Sequence, residues 1–132
     1  QRQMCKETDV IDSFIRWINA KDTLDEITKN PERIFRRVVD ILENRIDPLK
    51  EDLILLLLVA SLLIGEINIF TAEGDKVTMY ALRILMYFDT NFKKDMNQMY
   101  KLLKKIKKAL ENKYPFSFRV ASDSLREVIQ KI

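Results

Sequence analysis

Apolar residues recur at helical spacing along most of the chain. The series Val10, Ile11, Phe14, Ile15 and Ile18 predicts a first amphipathic helix over about 8–19, because these positions share one side of a helix. Next, Thr23-Leu24-Asp25-Glu26 has the spacing of a capping box, with a hydroxyl at the cap and a carboxylate three residues later. This pattern predicts a short second helix that begins there and ends near Lys29.

Proline marks the next two predicted helix starts. In Asn30-Pro31 a capping asparagine precedes a proline, which suits the first helical turn because its missing N–H would have no partner there. Asp47-Pro48 repeats the arrangement. The two pairs predict a fourth helix from Pro48 to about Ile64, preceded by a third helix that carries Ile34, Phe35, Val38, Val39, Ile41 and Leu42.

The fourth and fifth predicted helices are the most apolar. The 12 residues Leu53–Ile64 are apolar on nearly every side, and Val77–Phe88 is similarly dense. Gly65 is a candidate C-cap, and 71–75 is the most loop-like stretch. We expect the two helices to pair as a buried antiparallel hairpin, with more apolar surface than a domain of this size covers, so that part of it faces a partner.

The remaining sequence predicts a polar sixth helix and a short last one. A single apolar stripe runs through the sixth, over about 91–112, and consists of Phe92, Met96, Met99, Leu103, Ile106 and Leu110. Tyr114-Pro115-Phe116 breaks it, and Ser122-Asp123-Ser124 is a candidate cap for the last helix. The chain is therefore expected to be all-α. Six or seven antiparallel helices would stack as hairpins around a buried central pair, in a single domain over 1–132 that is a fragment or C-terminal part of a longer protein.

Composition disfavours an enzyme. The 132 residues include no histidine, so the usual general base at neutral pH is missing, and the single Cys5 cannot form a disulfide within the chain. No cysteine–histidine cluster suits zinc, and no glycine-rich loop suits a nucleotide phosphate. We expect no catalytic residue, no metal, no cofactor, no small-molecule substrate and no membrane span, and we look for a binding surface instead.

Lysines form the densest charge cluster. Residues 93–113 hold eight lysines against Asp95 and Glu111, and five of these lysines fall on a common side, opposite the apolar stripe: Lys94, Lys101, Lys104, Lys105 and Lys108. A solvated face that aids solubility is one interpretation. The other is an acidic partner, attracted over about a Debye length.

A smaller basic patch lies on the third helix. Arg33, Arg36 and Arg37 are candidates for the same acidic partner, or for ordinary ion pairs with Glu32, Asp40 or Glu43. The methionines Met79, Met86, Met96 and Met99 suit either core filling or an adaptable binding face. Trp17 is a candidate anchor for a partner if it is exposed.

Several segments resemble one family in order and spacing. Val38-Val39-Asp40-Ile41-Leu42 is similar to the Val-Val-Asp-Leu-Leu helix in the C-terminal domain of the regulatory subunit of katanin, a microtubule-severing AAA ATPase. Tyr100–Ile106 resembles that domain's Tyr-Lys-x-Leu-Lys-x-Ile segment, Leu125-Arg126-Glu127 follows at a comparable interval, and Trp17 takes the place of the family's tryptophan. The resemblance extends from about Phe14 to Ile132. It departs at Ala20-Lys21-Asp22 and at 66–70.

The resemblance implies a non-catalytic regulatory subunit in the cytoplasm, on the cytoskeleton and spindle. Such a domain pairs with the N-terminal helical domain of the AAA ATPase catalytic subunit, and the pair binds microtubules and spindle-pole or minus-end proteins. Trp17, Phe14, Val38 and Tyr100 are then candidates for the partner interface, and the basic clusters are candidates for the acidic surface of tubulin.

Two other classes remain open. A viral Bcl-2-like inhibitor of host signalling or apoptosis has a comparable bundle with a buried central hairpin, although the Asn-Trp-Gly-Arg signature of its cellular relatives is absent here. Such a protein would bind an amphipathic helix with little dependence on salt. A helical nucleic-acid-binding domain would instead lose affinity steeply as salt rises.

Overall fold

The computed structural model describes the backbone of residues 7–65 and 75–132, and the side chains from residue 12 onward within these ranges. Seven helices lie in the described part of the chain: α1 Glu7–Trp17, α2 Ala20–Lys29, α3 Pro31–Asn44, α4 Lys50–Leu63, α5 Lys76–Phe92, α6 Met96–Lys113 and α7 Pro115–Gln130. Neither described range contains a strand. The prediction of an all-α fold is confirmed. Segment 66–70, where the sequence departs from the resembled family, and most of the loop predicted for 71–75 lie outside the described residues.

Helix α4 is the centre of the core. Leu56, Val59 and Leu62 have no solvent exposure, and α3, α5, α6 and α7 all pack against the helix. A helix that is apolar on nearly every side is stable only when its neighbours surround it in this way. Most of the apolar surface of α4 is therefore covered within the domain, while Leu53, Ile54 and Leu57 are half-buried.

Helices α4 and α5 form the predicted antiparallel pair. The Tyr87 hydroxyl, near the end of α5, donates a hydrogen bond of 2.8 Å to the carbonyl oxygen of Arg45, which directly follows α3. The Arg45 side chain in turn pairs with Asp52 in the first turn of α4. The last part of α5 thus lies beside the start of α4, and the two helices run in opposite directions. Only α4 is enclosed, however, because Met79 and Met86 on α5 are half exposed.

Two helix starts differ from the sequence-based prediction, and at one of them an aspartate side chain caps the helix. Helix α2 begins at Ala20, after Asn19 adopts a left-handed conformation with φ 56°, so Thr23 lies inside the helix rather than at its cap. Helix α6 begins at Met96, since the Asp95 carboxylate accepts hydrogen bonds from the N–H groups of Asn97 and Gln98. Phe92 consequently belongs to α5. The other residues of the predicted α6 stripe are the half-buried Met96 and the buried Met99, Leu103, Ile106 and Leu110.

Pro31 begins α3 as predicted, whereas Pro115 and Pro48 act differently from the prediction. Pro115 begins α7, seven residues before the expected cap at Ser122, because a proline in the first helical turn loses no hydrogen bond. Ser122 is instead buried in the middle of α7, where its hydroxyl donates to the Leu62 carbonyl at the end of α4, at 2.8 Å. Pro48 precedes α4, which begins only at Lys50.

The partly buried Tyr87 hydroxyl predicts a loss of stability at alkaline pH. Burial and the nearby Asp52 carboxylate raise the pKa of Tyr87, so the folded protein holds this proton more tightly than the unfolded chain does. Its contribution is complete below the unfolded pKa of about 10 and is lost as the pH rises through the folded value. We expect the free energy of unfolding, measured with urea, to fall above about pH 10 less steeply in Tyr87→Phe than in the parent. Equal slopes would contradict this assignment.

Candidate partner-binding surfaces

Helix α6 presents a face of lysines to solvent. Lys101, Lys104, Lys105 and Lys108, here called the lysine face, are all exposed, while Met99, Leu103, Ile106 and Leu110 on the opposite side are buried in the core. The two sides follow from the helical period, which places residues three and four apart in neighbouring positions. The sequence therefore predicted correctly that these four lysines lie on one exposed side of the helix. Its function is a separate question.

The lysine face is defined by what surrounds it on α6. From residue 97 to 113, the exposed side chains are lysine, asparagine or glutamine, and no described carboxylate is fully exposed among them. The half-buried Glu111 forms an ion pair of 3.3 Å with Lys107, which is only 12% exposed and does not belong to the face. Lys104 lies 5.3 Å from the ring of the half-buried Tyr100. The lysine face extends over about 10 Å of α6, at 1.5 Å per helical residue.

Lys94 was predicted to belong to this surface, but it does not. It lies in the connection between α5 and α6, after Lys93 adopts a left-handed conformation with φ 53°, and it is exposed. The helical spacing that related it to Lys101 does not apply outside the helix. Lys94 adds positive charge near the start of α6 but is not aligned with the lysine face by helical geometry.

The arginines of α3 have separate roles. Arg36 forms an ion pair with Glu32 one turn earlier, as the simpler interpretation predicted. Arg37 instead reaches α4, where its guanidinium lies 3.2 Å from the Asp52 carboxylate. Arg33 is exposed. The three side chains therefore do not form a single basic patch of free charges, because Arg37 is part of the contact between two helices.

Asp52 is a buried charge that sequence reasoning missed. Its carboxylate is paired with Arg37 and with Arg45, the latter at 3.3 Å, and also accepts a hydrogen bond of 3.0 Å from the Leu49 N–H. The side chain is only 2% exposed. Asp52 thus fixes the α3–α4 connection to the first turn of α4. The one available signal was an acidic residue directly before a long apolar run, which is also a common feature of ordinary helix starts.

Removing the Asp52 carboxylate should destabilise the domain. Asp52→Ala leaves the Leu49 N–H without its partner and frees two arginines, but these are half exposed and can turn to solvent. We expect the free energy of unfolding in urea to fall by about 1–3 kcal/mol. The exposed Asp47, five residues earlier, provides the control, and Asp47→Ala should change this free energy by less than about 0.5 kcal/mol. Equal effects of the two substitutions would contradict the role of Asp52.

The four predicted interface residues differ in exposure. Val38 has no solvent exposure, so its assignment to a partner interface was wrong, because the apolar stripe of α3 faces the core of this domain. Phe14 and Tyr100 are half-buried. Trp17 is 57% exposed at the end of α1, and its ring centroid lies 6.5 Å from that of Phe14. Trp17 therefore remains the strongest candidate among them.

Trp17 forms one wall of a groove between α1, α2, α3 and α4. The groove has a volume of about 390 Å³, and its apolar lining includes Ile18, Ile34, Ile54, Leu55 and Leu58. The Lys50 ammonium lies 4.0 Å from the centroid of the Trp17 ring, an arrangement in which the charge is attracted to the ring face. The polar rim of the groove contains Glu26 and Glu51 in addition to Lys50.

No described helix has the length and hydrophobicity needed to span a membrane, and no three histidine, cysteine, aspartate or glutamate side chains of the described residues converge where a metal ion would bind. Comparison with protein-family models, with curated proteins and with solved structures gives no match to this chain. The lysine face, the Trp17 groove and the resemblance of the sequence motifs are therefore the basis for a functional assignment.

Proposed function

We propose that this chain is a non-catalytic regulatory subunit domain that pairs with the N-terminal helical domain of a microtubule-severing AAA ATPase and helps the complex bind microtubules. The observation that carries the proposal is the lysine face of α6. It offers four exposed lysines along one side of a helix, and the surface of tubulin is acidic. The order of the motifs that resemble the katanin regulatory subunit supports the same assignment.

The lysine face suits a polypeptide better than a nucleic acid. Single-stranded nucleic acids are bound where bases stack on aromatic rings, and Tyr100, the aromatic residue on α6, is half-buried beside Lys104. Base edges are most often recognised by bidentate arginine, and no arginine lies on this face. Lysines that act as point charges suit a partner with many carboxylates, which requires no fixed geometry.

Affinity capture from extract of the source cells tests the proposal. The tagged domain serves as bait, and the bound proteins are identified by mass spectrometry at about 0.15 M salt, where non-specific attraction over more than about 8 Å is screened. We expect an AAA ATPase together with tubulin. Recovery of proteins that carry a short amphipathic helix, without an ATPase, would favour the Bcl-2-like alternative. Recovery of nucleic acid that is lost as salt rises would favour the nucleic-acid-binding one.

A further inference from the structure

The rim of the Trp17 groove carries an excess of negative charge. Arg37 does not offset it, because Arg37 and Arg45 form a network with two aspartates, Asp52 and Asp40, in which the charges balance. What remains on the rim is Lys50 against two carboxylates, Glu26 and Glu51. Both glutamates are exposed, and among the described residues neither has an ion-pair partner. The groove is therefore apolar inside and negative at its edge.

The groove has the features of a site for an anchoring side chain. Its volume of about 390 Å³ lies near the lower end of the range for ligand pockets, roughly 300–1,000 Å³. Tryptophan at the edge of a desolvated pocket is the residue type that contributes most to protein interfaces. The contacts of Asp52 hold Arg37 on α3 and the start of α4 in place. The α3 and α4 walls of the groove are therefore ordered before a partner binds.

We propose that the Trp17 groove binds a basic amphipathic helix of a partner protein, which inserts an apolar side chain beside Trp17 and places lysine or arginine residues next to Glu26 and Glu51. Charge complementarity selects this occupant, since an acidic helix would bring like charges together at the rim. The lysine face has the opposite preference, so the domain offers two surfaces to two kinds of partner. The inference rests on the proposed pairing with a helical partner and assigns that pairing to one groove.

Trp17 provides the measurement, because it is the single tryptophan in the chain and its emission reports directly on the groove. The purified domain is titrated with a synthetic 18-residue amphipathic helix that has a leucine stripe flanked by lysines. Two matched peptides serve for comparison, one with glutamate in place of each lysine and one with serine in place of each leucine. We expect a blue shift of Trp17 emission with the basic peptide and binding at least about tenfold weaker with either of the others.

Charge substitutions at the rim complete the test. Glu26→Lys with Glu51→Lys should reverse the preference, so that the acidic peptide binds more tightly than the basic one, and Glu26→Gln with Glu51→Gln should reduce the difference without reversing it. Asp123→Lys is the matched control, because Asp123 is exposed near Leu62 and Gly65, at the opposite end of α4, and should leave binding unchanged.

Several outcomes would overturn the inference. One is tighter binding of the acidic peptide by the parent domain. Another is no change in Trp17 emission with any peptide up to about 1 mM, a concentration that detects even weak binding. A third is an emission shift that depends on domain concentration alone, as self-association would give. Binding of the ATPase in the capture experiment together with any of these results would refute the groove but retain the proposed function. Peptide binding without ATPase capture would retain the groove as a binding site but refute the proposed function.

Discussion

Reversing the charge of the lysine face should abolish the proposed microtubule binding of the domain in complex with the proposed ATPase partner. The variant carries Lys101→Glu, Lys104→Glu, Lys105→Glu and Lys108→Glu, which turns an attractive surface into a repulsive one for acidic tubulin. Folding should be nearly unaffected, since lysine and glutamate have similar helical propensity and exposed pairs contribute only about 0.2–1 kcal/mol. Co-sedimentation with microtubules measures the effect, and circular dichroism verifies the fold.

Two controls make this experiment specific. Lys21→Glu, Lys29→Glu and Lys131→Glu change exposed lysines on α2 and near the end of α7, and this variant should retain most of the sedimented fraction. Arg33→Glu with Arg36→Glu tests the other basic candidates. Binding by the parent should weaken steeply between low and physiological salt, because the attraction is screened. If the fourfold lysine variant sediments as well as the parent at the same salt, the lysine face is a solvated surface without a role in microtubule binding.

Leu56→Asp should prevent folding altogether. Leu56 has no solvent exposure and lies on α4, the helix that is surrounded by four others, so no small movement can expose a new carboxylate to water. An unpaired polar group at such a site costs several kcal/mol, and a charged one more, in a domain whose total stability is about 5–15 kcal/mol. Leu56→Ala should retain the fold at a cost of about 2–5 kcal/mol. Far-ultraviolet circular dichroism and thermal melts measure both effects.

The half-buried Val39 provides the contrast to Leu56. It lies on the same helix as Val38 but lines a surface groove with Phe35 and Tyr80, so a carboxylate there retains access to water. Val39→Asp should therefore leave a cooperative thermal transition, shifted to lower temperature, where Leu56→Asp leaves none. A cooperative transition in Leu56→Asp close to that of the parent would show that the assignment of α4 as the buried centre is incorrect.

The apolar pattern predicted the helices well, and local capping decided the places where it failed. Hydrophobic periodicity is a sum over many residues, so it correctly predicted the enclosed α4 and the amphipathic α6. A helix start depends instead on one or two hydrogen bonds. Asp95 and Thr23 are both good capping residues, and the sequence alone does not show which one accepts backbone N–H bonds and which one lies inside a helix.

The candidate sites show the same division. The lysine face follows from period and charge, so the sequence predicted its four lysines, although it also assigned Lys94 to the same side. The Trp17 groove and the Asp52 network depend on which helices meet, and their parts are separated in sequence by up to about forty residues, from Trp17 to Leu58. Val38 shows where motif order fails as a guide. It matches a family segment and was predicted at an interface, but it faces the core.

Complex formation with the ATPase tests the central claim most directly. The purified domain is mixed with the purified N-terminal helical domain of a microtubule-severing AAA ATPase from the same cells, at about 10 μM each, which detects any complex of micromolar affinity or better. Size-exclusion chromatography with light scattering gives the mass of the product. We expect a stable one-to-one complex that persists at physiological salt, because a helix-in-groove contact is largely apolar. Separate elution of two folded domains would contradict the proposed function.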